Sequence, residues 1–215
     1  DRYNNKTFNF YKTHVISLKS KEILRFLNVK NTFLQKIKEF KIHNEMLLSV
    51  SQKLHRKFNP TFIYCFNDEI HLVFAETDLD KELYNGNINK TCSSIATFAS
   101  VLFTKEFLKQ DIDLDFTIIP KYVEFNEGET YEILNYIIWR QNDCLRNNLS
   151  TLFRYFEKDD NVKLPEIAHK LTNYEESKFI TEQILYGNLV KNEECVHTHL
   201  TNEPFNKMFN KFINN

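Results

Sequence analysis

The sequence predicts an α+β fold: a domain with the βαββαβ element order of ferredoxin-like folds, followed by a helical C-terminal extension. Three features predict it. Two β-rich runs in the middle of the chain are separated by only a short polar turn. Long stretches with apolar residues at helical spacing lie before and after them, and shorter β-rich runs lie outside those stretches. The 215 residues are enough to bury one substantial core.

The first half of the chain begins with a short apolar strand at residues 14–18, followed by a polar turn at 19–22. Apolar residues then recur at helical spacing over 31–58, which predicts one long helix or two helices broken near 41–44. Pro60 is expected to end this helical segment.

The β-rich runs at 61–66 and 70–75 are joined by the polar residues 67–69 and therefore predict a hairpin. A second helix is indicated by the apolar face at 95–103. The following run, 116–125, contains Pro120, which suits an edge strand or a bulge better than the centre of a sheet.

Residues 132–156 are strongly helical in pattern, and from residue 164 onward the chain is expected to alternate short helices with polar loops. We therefore divide the chain into a catalytic-type domain at 1–130 and a helical extension at 131–215 that packs on it as one structural unit.

Composition limits the classes of function. With 28 basic and 29 acidic side chains the net charge is −1, so any polynucleotide must be bound by a local basic stripe rather than by the overall field. The four cysteines form no CxxC pair, which favours a reducing intracellular compartment, with cytoplasm and mitochondrion not distinguished. No stretch approaches the ~18 consecutive apolar residues of a membrane span, and no membrane partner is expected.

Asp68 and Glu69 are adjacent carboxylates at the predicted hairpin tip. Such oxygens are hard ligands that suit Mg²⁺, and metal ions held this way neutralise a triphosphate and align the attacking oxygen. A solvated turn is the alternative interpretation, since acidic residues are common in turns.

A segment near the middle of the long C-terminal helix carries a more specific signal. Residues 139–149 read WRQNDCLRNNL and resemble the WRQxDCxxNNL helix of the tRNA-His guanylyltransferase family. Further segments are similar to that family in the expected order: FIYCFNDEIHLVF at 62–74, ATFASVLFT at 96–104 and KIHNE at 41–45. The resemblance covers roughly residues 14 to 190.

The resemblance implies a polymerase-type palm that adds guanosine to the 5′ end of tRNA, using a nucleoside triphosphate (GTP or ATP) and two Mg²⁺ ions. It implies that Asp68 and Glu69 are metal ligands, and that three residues lie at the nucleotide: Lys41, Asn67 and Ser94. Four residues would face the tRNA: Arg140, Asn147, Asn148 and Lys178. The family also implies a homo-oligomer, or a hetero-oligomer with a paralogue or a larger complex.

The sequence departs from this pattern at the metal site. Lys19 stands where the family has its first metal-binding Asp, Asn67 replaces a Ser, Ser94 replaces a Lys and Leu145 replaces a His. An ammonium cannot ligate Mg²⁺. We therefore expect a catalytically degenerate relative that binds tRNA or another structured RNA, or serves as a structural subunit. The alternative is an active nucleotidyltransferase that uses another ligand, for example Glu22.

One physical compensation is predicted: Lys19, placed between Asp68 and Glu69, acts as a built-in cation in place of the metals. Elsewhere, Trp139 is expected in the core and Cys144 as a small buried apolar group. Cys195, His197 and His199 suggest zinc only weakly, and a polar loop is favoured there.

Overall fold

The computed structural model describes residues 6–7, 12–23, 33–75, 84–126, 128, 130–157, 182–192 and 194–197. The strands are β1 (His14–Ser20), β2 (Phe62–Phe66), β3 (Glu69–Phe74), β4 (Ile118–Glu124), β5 (Asn188–Lys191) and β6 (Glu194–Val196). The helices are α1 (Phe33–Phe58), α2 (Ile88–Leu108), α3 (Thr130–Glu157) and α4 (Glu182–Tyr186).

The strands form one sheet in the order β4-β1-β3-β2-β5-β6, in which every pair is antiparallel. The first four strands have the arrangement of a split βαβ domain, since β3 lies between β1 and β2. The predicted α+β fold with βαββαβ order is therefore confirmed.

The helix boundaries follow from local sequence. α1 runs unbroken through 41–44, so the one-helix interpretation is correct. Asn59 follows its end in a left-handed conformation, with φ of 47°, and donates its N–H to the carbonyl of His55 at 2.8 Å. α2 begins where the side chain of Asn87 accepts from the N–H of Lys90 at 2.9 Å, which satisfies one amide of the first turn.

The sheet has apolar side chains on both faces. On the first face, strand residues such as Ile16, Leu72 and Cys65 pack with α1 and α2. On the second face, Val15, Phe62, Tyr64 and Val73 pack against α3 through Ile133 and Ile137. Burial on both faces explains why β2 is a continuously apolar run and why β3 is buried at every position, Glu69 and His71 included.

β4 lies at the edge of the sheet, as the proline in its run predicts, and Pro120 sits opposite Leu18 of β1. The expectation for the tail was wrong at 188–191 and 194–196, which form β5 and β6. β5 pairs with β2 and extends the sheet. A four-residue strand carries almost no periodicity, so only the open edge of β2 identifies it.

No helix within the described ranges is long and apolar enough to span a membrane.

Candidate functional site

The β2–β3 hairpin brings two carboxylates to the end of β1. Its two-residue turn is made by Asn67 and Asp68, with Asn67 at a φ of 44°. The carbonyl of Asn67 accepts from the ring of His43, whose pKa burial lowers to about 4, so that the ring is neutral near pH 7. The amide of Ser20 donates to the carbonyl of Asp68 at 3.3 Å, which ties the turn to β1.

Lys19 lies directly opposite Glu69 in the β1–β3 register. Its ammonium nitrogen is 2.8 Å from Oε1 of Glu69 and 3.5 Å from Oδ2 of Asp68. The predicted placement of this ammonium between the two carboxylates is therefore what the structure shows. The side chain of Lys19 is 47% exposed, whereas those of Asp68 and Glu69 are 7% and 10% exposed.

Glu69 is surrounded by donors from three elements. Besides Lys19 on β1, Nη2 of Arg140 on α3 lies 2.7 Å from its Oε2, and Nε2 of His71 on β3 lies 3.1 Å from the same oxygen. Burial by itself favours the neutral acid. The hydrogen bonds from His71 and Lys19 and the charge of Arg140 outweigh it and lower the pKa of Glu69 to about 2.

Asp68 behaves in the opposite way. Burial raises the pKa of its carboxyl group, and the neighbouring negative charge of Glu69 adds to that effect, while the charge of Lys19 opposes it. The longer distance to Lys19 agrees with this, because Lys19 is hydrogen-bonded to Glu69 rather than centred on Asp68. Asp68 is therefore the less stabilised of the two charges.

His71 connects the carboxylates to α3. Burial lowers the pKa of His71, so the neutral ring donates from Nε2 to Glu69 and accepts at Nδ1 from the Tyr136 hydroxyl at 2.8 Å. His71 was not among the residues predicted from the sequence. Its position two residues after Glu69 on a strand, and so on the same face, is the signal that points to it.

The charged side chains around the hairpin carboxylates balance without any other ion. Asp68, Glu69 and Asp143 contribute three negative charges, and Lys19, Arg140 and Arg146 contribute three positive charges. Two Mg²⁺ ions would need carboxylate oxygens at about 2.1 Å. The donors on Glu69 already occupy that space, and an ammonium lies beside Asp68. The residues present therefore do not fit a two-metal site of the kind the family resemblance implies.

Two of the residues expected to face tRNA are buried. Arg140 is 8% exposed and bonds to Glu69 and to Asp143, and Asn148 is 3% exposed and donates to Sγ of Cys144 and to the carbonyl of Ile184. Each of these side chains is used inside the protein in this structure, so contact with RNA stays a prediction for them. Asn147 is exposed on α3, and Lys178 lies outside the described residues.

The residues expected at the nucleotide do not form one group. Asn67 belongs to the hairpin turn, and Lys41 is half-buried on α1. Ser94 lies on α2 at an open cavity of about 340 Å³. This cavity is lined by Tyr84, Asn89, Lys90, Ser93 and Ser94, and no hairpin residue contributes to it.

Three further expectations concern single residues. Cys144 is fully buried, as predicted, but Trp139 is 61% exposed, so its expected core position is wrong. Cys195 lies in β6 rather than in a polar loop, with Sγ 3.4 Å from Nδ1 of His197, and His199 lies outside the described residues. No group of three or more His, Cys, Asp or Glu side chains suited to a metal ion occurs among the described residues.

The chain is thus a palm-type α+β protein whose hairpin carboxylates are neutralised by internal cations. Among solved structures it is similar to a bacterial tRNA(His) guanylyltransferase-like protein in complex with ATP, with a TM-score of 0.72 and 16% identity, covering 97% of this chain and 93% of that one. It is also similar to the tRNA(His) guanylyltransferase of Saccharomyces cerevisiae, with a TM-score of 0.68 and 14% identity over 96% of each chain. The chain has the fold of the tRNA-His guanylyltransferases, as its motifs predict.

A second bacterial structure of the same description, in complex with GTP, matches with a TM-score of 0.64, 14% identity and coverage of 97% of this chain and 92% of that one. Among curated proteins, an uncharacterized protein of Acanthamoeba polyphaga mimivirus is 24% identical in an alignment of 185 residues that covers 73% of this chain. The match spans 63% of the length of that viral protein. No family model matches the chain.

Proposed function

We propose that this protein is a divergent member of the tRNA-His guanylyltransferase family that binds tRNA or another structured RNA without the transfer reaction, or that serves as a structural subunit of a larger assembly. One observation carries the proposal: the ammonium of Lys19 stands 2.8 Å from Glu69 and 3.5 Å from Asp68, where the family resemblance implies metal ions. Because two side-chain cations neutralise the carboxylates, the scaffold is stable without the ions that the chemistry needs.

Nucleotide binding is the part of the ancestral function that this arrangement can retain. Two solved structures of similar fold are complexes with ATP and with GTP. On this chain, Lys41, Asn67 and Ser94 are the residues we propose to contact a nucleotide, with Lys90 at the same open cavity as Ser94. A homo-oligomer, or a complex with an active paralogue, belongs to the same proposal.

Incubation with tRNA, labelled GTP, ATP and Mg²⁺ tests the loss of chemistry. We expect no label at the RNA 5′ end, under conditions in which the yeast tRNA(His) guanylyltransferase labels its substrate. The proposal is wrong if label is transferred and the transfer disappears in Asp68→Ala. That outcome would favour an active nucleotidyltransferase that has recruited a different ligand, such as Glu22, for its metal.

Calorimetric titration with Mg²⁺ tests the reason for the loss. Lys19→Asp removes the internal cation and adds a third carboxylate, so we expect Mg²⁺ affinity to rise at least about tenfold. Lys12→Asp is the matched control, since Lys12 is also 2.8 Å from a glutamate, but that glutamate, Glu124, is 34% exposed against 10% for Glu69. Equal Mg²⁺ affinities in the wild type and both variants would show that Lys19 does not stand in for a metal.

A further inference from the structure

A closed ring of hydrogen bonds joins four elements on the β5–β6 side of the sheet. Its five side chains belong to α1 (Asn44), α4 (Gln183), β5 (Asn188), β6 (Cys195) and the residue directly after β6 (His197). Asn188 Nδ2 donates to Oδ1 of Asn44 at 2.7 Å, and Asn44 Nδ2 donates to Oε1 of Gln183 at 3.3 Å. Gln183 Nε2 lies 3.3 Å from Nε2 of His197, whose Nδ1 lies 3.4 Å from Sγ of Cys195. Sγ of Cys195 is 3.9 Å from Oδ1 of Asn188, which closes the ring.

Each member of this ring donates one hydrogen bond and accepts one. Because Gln183 donates to Nε2 of His197, the neutral imidazole carries its proton on Nδ1 and donates it to Cys195. The thiol then donates to Asn188, so five hydrogens serve five acceptors. The ring also closes in the opposite direction, with the three amides reversed and the imidazole proton on Nε2. The electrically neutral ring is therefore satisfied in either direction.

An additional proton on His197 cannot be accommodated in this ring. An imidazolium donates from both nitrogens, so its Nε2–H would point at the N–H of Gln183. Reversing the Gln183 amide moves the conflict to Asn44, and reversing Asn44 moves it to Asn188. With all three amides reversed, Sγ of Cys195 receives two donors and its own S–H loses its acceptor. Protonation of His197 therefore breaks at least one hydrogen bond of the ring, whichever way the amides point.

The ionisation of the ring is set by burial more than by charge. A Cys195 thiolate could accept two donors, but burial raises the pKa of Cys195 to about 12, so the thiol keeps its proton where histidines titrate. Burial also lowers the pKa of His197, while the negative charge of Glu182 on α4 opposes that effect. The ring members on α1 and β5, Asn44 and Asn188, are neutral amides. The folded protein thus holds His197 in its neutral form.

The ring secures two elements that pack against β2 close to the carboxylate hairpin. The carbonyl of Tyr186 in α4 accepts from the hydroxyl of Tyr64 in β2 at 2.6 Å. β5 pairs with β2 through Asn188 and Cys65, one position before the last residue of β2. The hairpin turn follows directly, so an open ring would release α4 and β5 from the end of β2 that supports this turn.

We propose that this ring is a pH-sensitive switch: protonation of His197 breaks it, and α4 with the β5–β6 pair then separates from α1 and from the edge of β2. Since the pKa of His197 is lowered in the folded protein, the stabilisation is complete above the ordinary value of 6.5 and is lost as the pH falls below it. The inference does not depend on the proposed function, because it concerns only how the C-terminal elements are held.

Hydrogen exchange of the full-length protein, corrected for the intrinsic effect of pH on exchange, tests this switch. We expect the protection of the β5 amides to fall about tenfold between about pH 7.5 and pH 5, roughly the effect of one lost hydrogen bond, while β1 and β3 keep theirs. His197→Gln does not titrate and should remove this pH dependence. His55→Gln is the matched control, since His55 of α1 lies near Lys191 of β5 and its pKa is also lowered by burial, but it is outside the ring.

Substitutions of Cys195 separate hydrogen bonding from packing. Cys195→Ser keeps a group that donates and accepts, so we expect β5 protection at about pH 7.5 to stay within about twofold of the wild type. Cys195→Ala removes both roles and should lower that protection about tenfold. Cys92→Ala, at another partly buried free cysteine outside the ring, should leave β5 unchanged. Equal losses in the serine and alanine variants would contradict the ring, because packing of the sulfur would then hold β5.

Three results of the exchange experiment would overturn the switch. The first is equal β5 protection at both pH values in the wild type. The second is a pH dependence that survives in His197→Gln and disappears in His55→Gln, because His55 would then be the titrating group. The third is an equal fall in β1 and β3, since the whole protein would then be opening. Transfer of GTP label to RNA would contradict the proposed loss of chemistry and leave the switch standing.

Discussion

Lys19 and Glu69 face each other across β1 and β3, and this single pairing determines the character of the site. A lysine at this position could have turned toward solvent, where an ion pair contributes little. Instead its ammonium is hydrogen-bonded to Glu69, whose side chain is 10% exposed. Burial by itself would lower the pKa of Lys19, but the hydrogen bond to Glu69 and the negative charges of Asp68 and Glu69 raise it. Removing the charge of Lys19 should therefore change the stability of the protein measurably.

Lys19→Met keeps the length of the side chain and removes the charge. We expect the free energy of unfolding at pH 7 to fall by about 1–2 kcal/mol, because Asp68 and Glu69 lose one of two neutralising cations. The pKa of Asp68, already raised by burial, should rise further, so Asp68 becomes protonated as the pH falls and the loss should shrink at pH 5. Urea unfolding at both pH values measures this.

Lys12→Met provides the comparison, because that lysine pairs with Glu124, whose side chain is 34% exposed against 10% for Glu69. We expect it to change stability by less than about 0.5 kcal/mol at either pH. A Lys19→Met variant as stable as Lys12→Met would mean that the carboxylates do not depend on Lys19.

The ionisation of Glu69 should also make the stability of the protein depend on pH in the acid range. Its pKa in the folded state is about 2, below the ordinary value of 4.5, so its stabilising contribution is complete above pH 4.5 and is lost as the pH falls toward 2. Between those values we expect the wild type to lose about 2 kcal/mol more than Glu69→Gln, whose side chain does not titrate.

Acid unfolding of the two proteins, followed by circular dichroism, gives the difference. Glu106, whose pKa is also lowered to about 2, contributes equally to both proteins and cancels. Parallel stability curves for the wild type and Glu69→Gln between pH 4.5 and 2 would contradict the assigned donor set.

At the scale of elements, the extension of the palm sheet by β5 depends on one glycine. Gly187 has a φ of +71° and lies against β2, where a Cβ atom would come within 2.8 Å of the Cys65 carbonyl oxygen and 2.9 Å of Cβ of Phe66. Both contacts are shorter than real Cβ atoms show, and one of them is to backbone. The close approach brings Asn188 of β5 into pairing with Cys65.

Gly187→Ala should therefore destabilise the protein by more than about 2 kcal/mol, from the positive φ and the clash together. Gly128 is a matched control, since it has a similar φ of +76° but no atom within 4 Å of the position that a Cβ would take. We expect Gly128→Ala to cost only about 1 kcal/mol. Thermal unfolding of the two variants measures the difference, and equal costs would contradict the tight packing of β5 on β2.

Sequence patterns predicted most of these elements because the long helices and the hairpin carry a strong periodic signal. They failed for β5 and β6, which are too short to show a period and form because β2 offers an open edge. Within the candidate site, the proximity of Lys19, Asp68 and Glu69 was predicted, and the structure brings the three side chains together. The contact of Arg140 with Glu69 was not predicted, because a sequence does not reveal that this arginine turns inward to a carboxylate 71 positions earlier in the chain.

At the scale of the whole molecule, a net charge of −1 limits how RNA can be held. The overall field does not attract a polyanion, so under the proposed function binding must depend on a few local cations, such as Lys19, Lys121 and Arg146. Two of these three already pair with carboxylates. Few phosphates are therefore expected to be neutralised.

The affinity for RNA should accordingly depend only weakly on salt. With about two or three phosphate contacts, the logarithm of the binding constant should fall with the logarithm of salt concentration at a slope of about −1.5 to −2. Anisotropy titrations over a range of KCl concentrations measure the slope, and Lys121→Met should make it shallower. A slope steeper than about −5 would require many more phosphate contacts than these three cations make.

The three donors on Glu69 come from β1, β3 and α3, and this has a consequence for how such a protein evolves. A reversion at position 19 would remove one donor and leave Arg140 and His71 in place, so metal affinity and turnover would not return together. Under the proposed function, regaining a two-metal site would therefore take more than the one substitution at position 19.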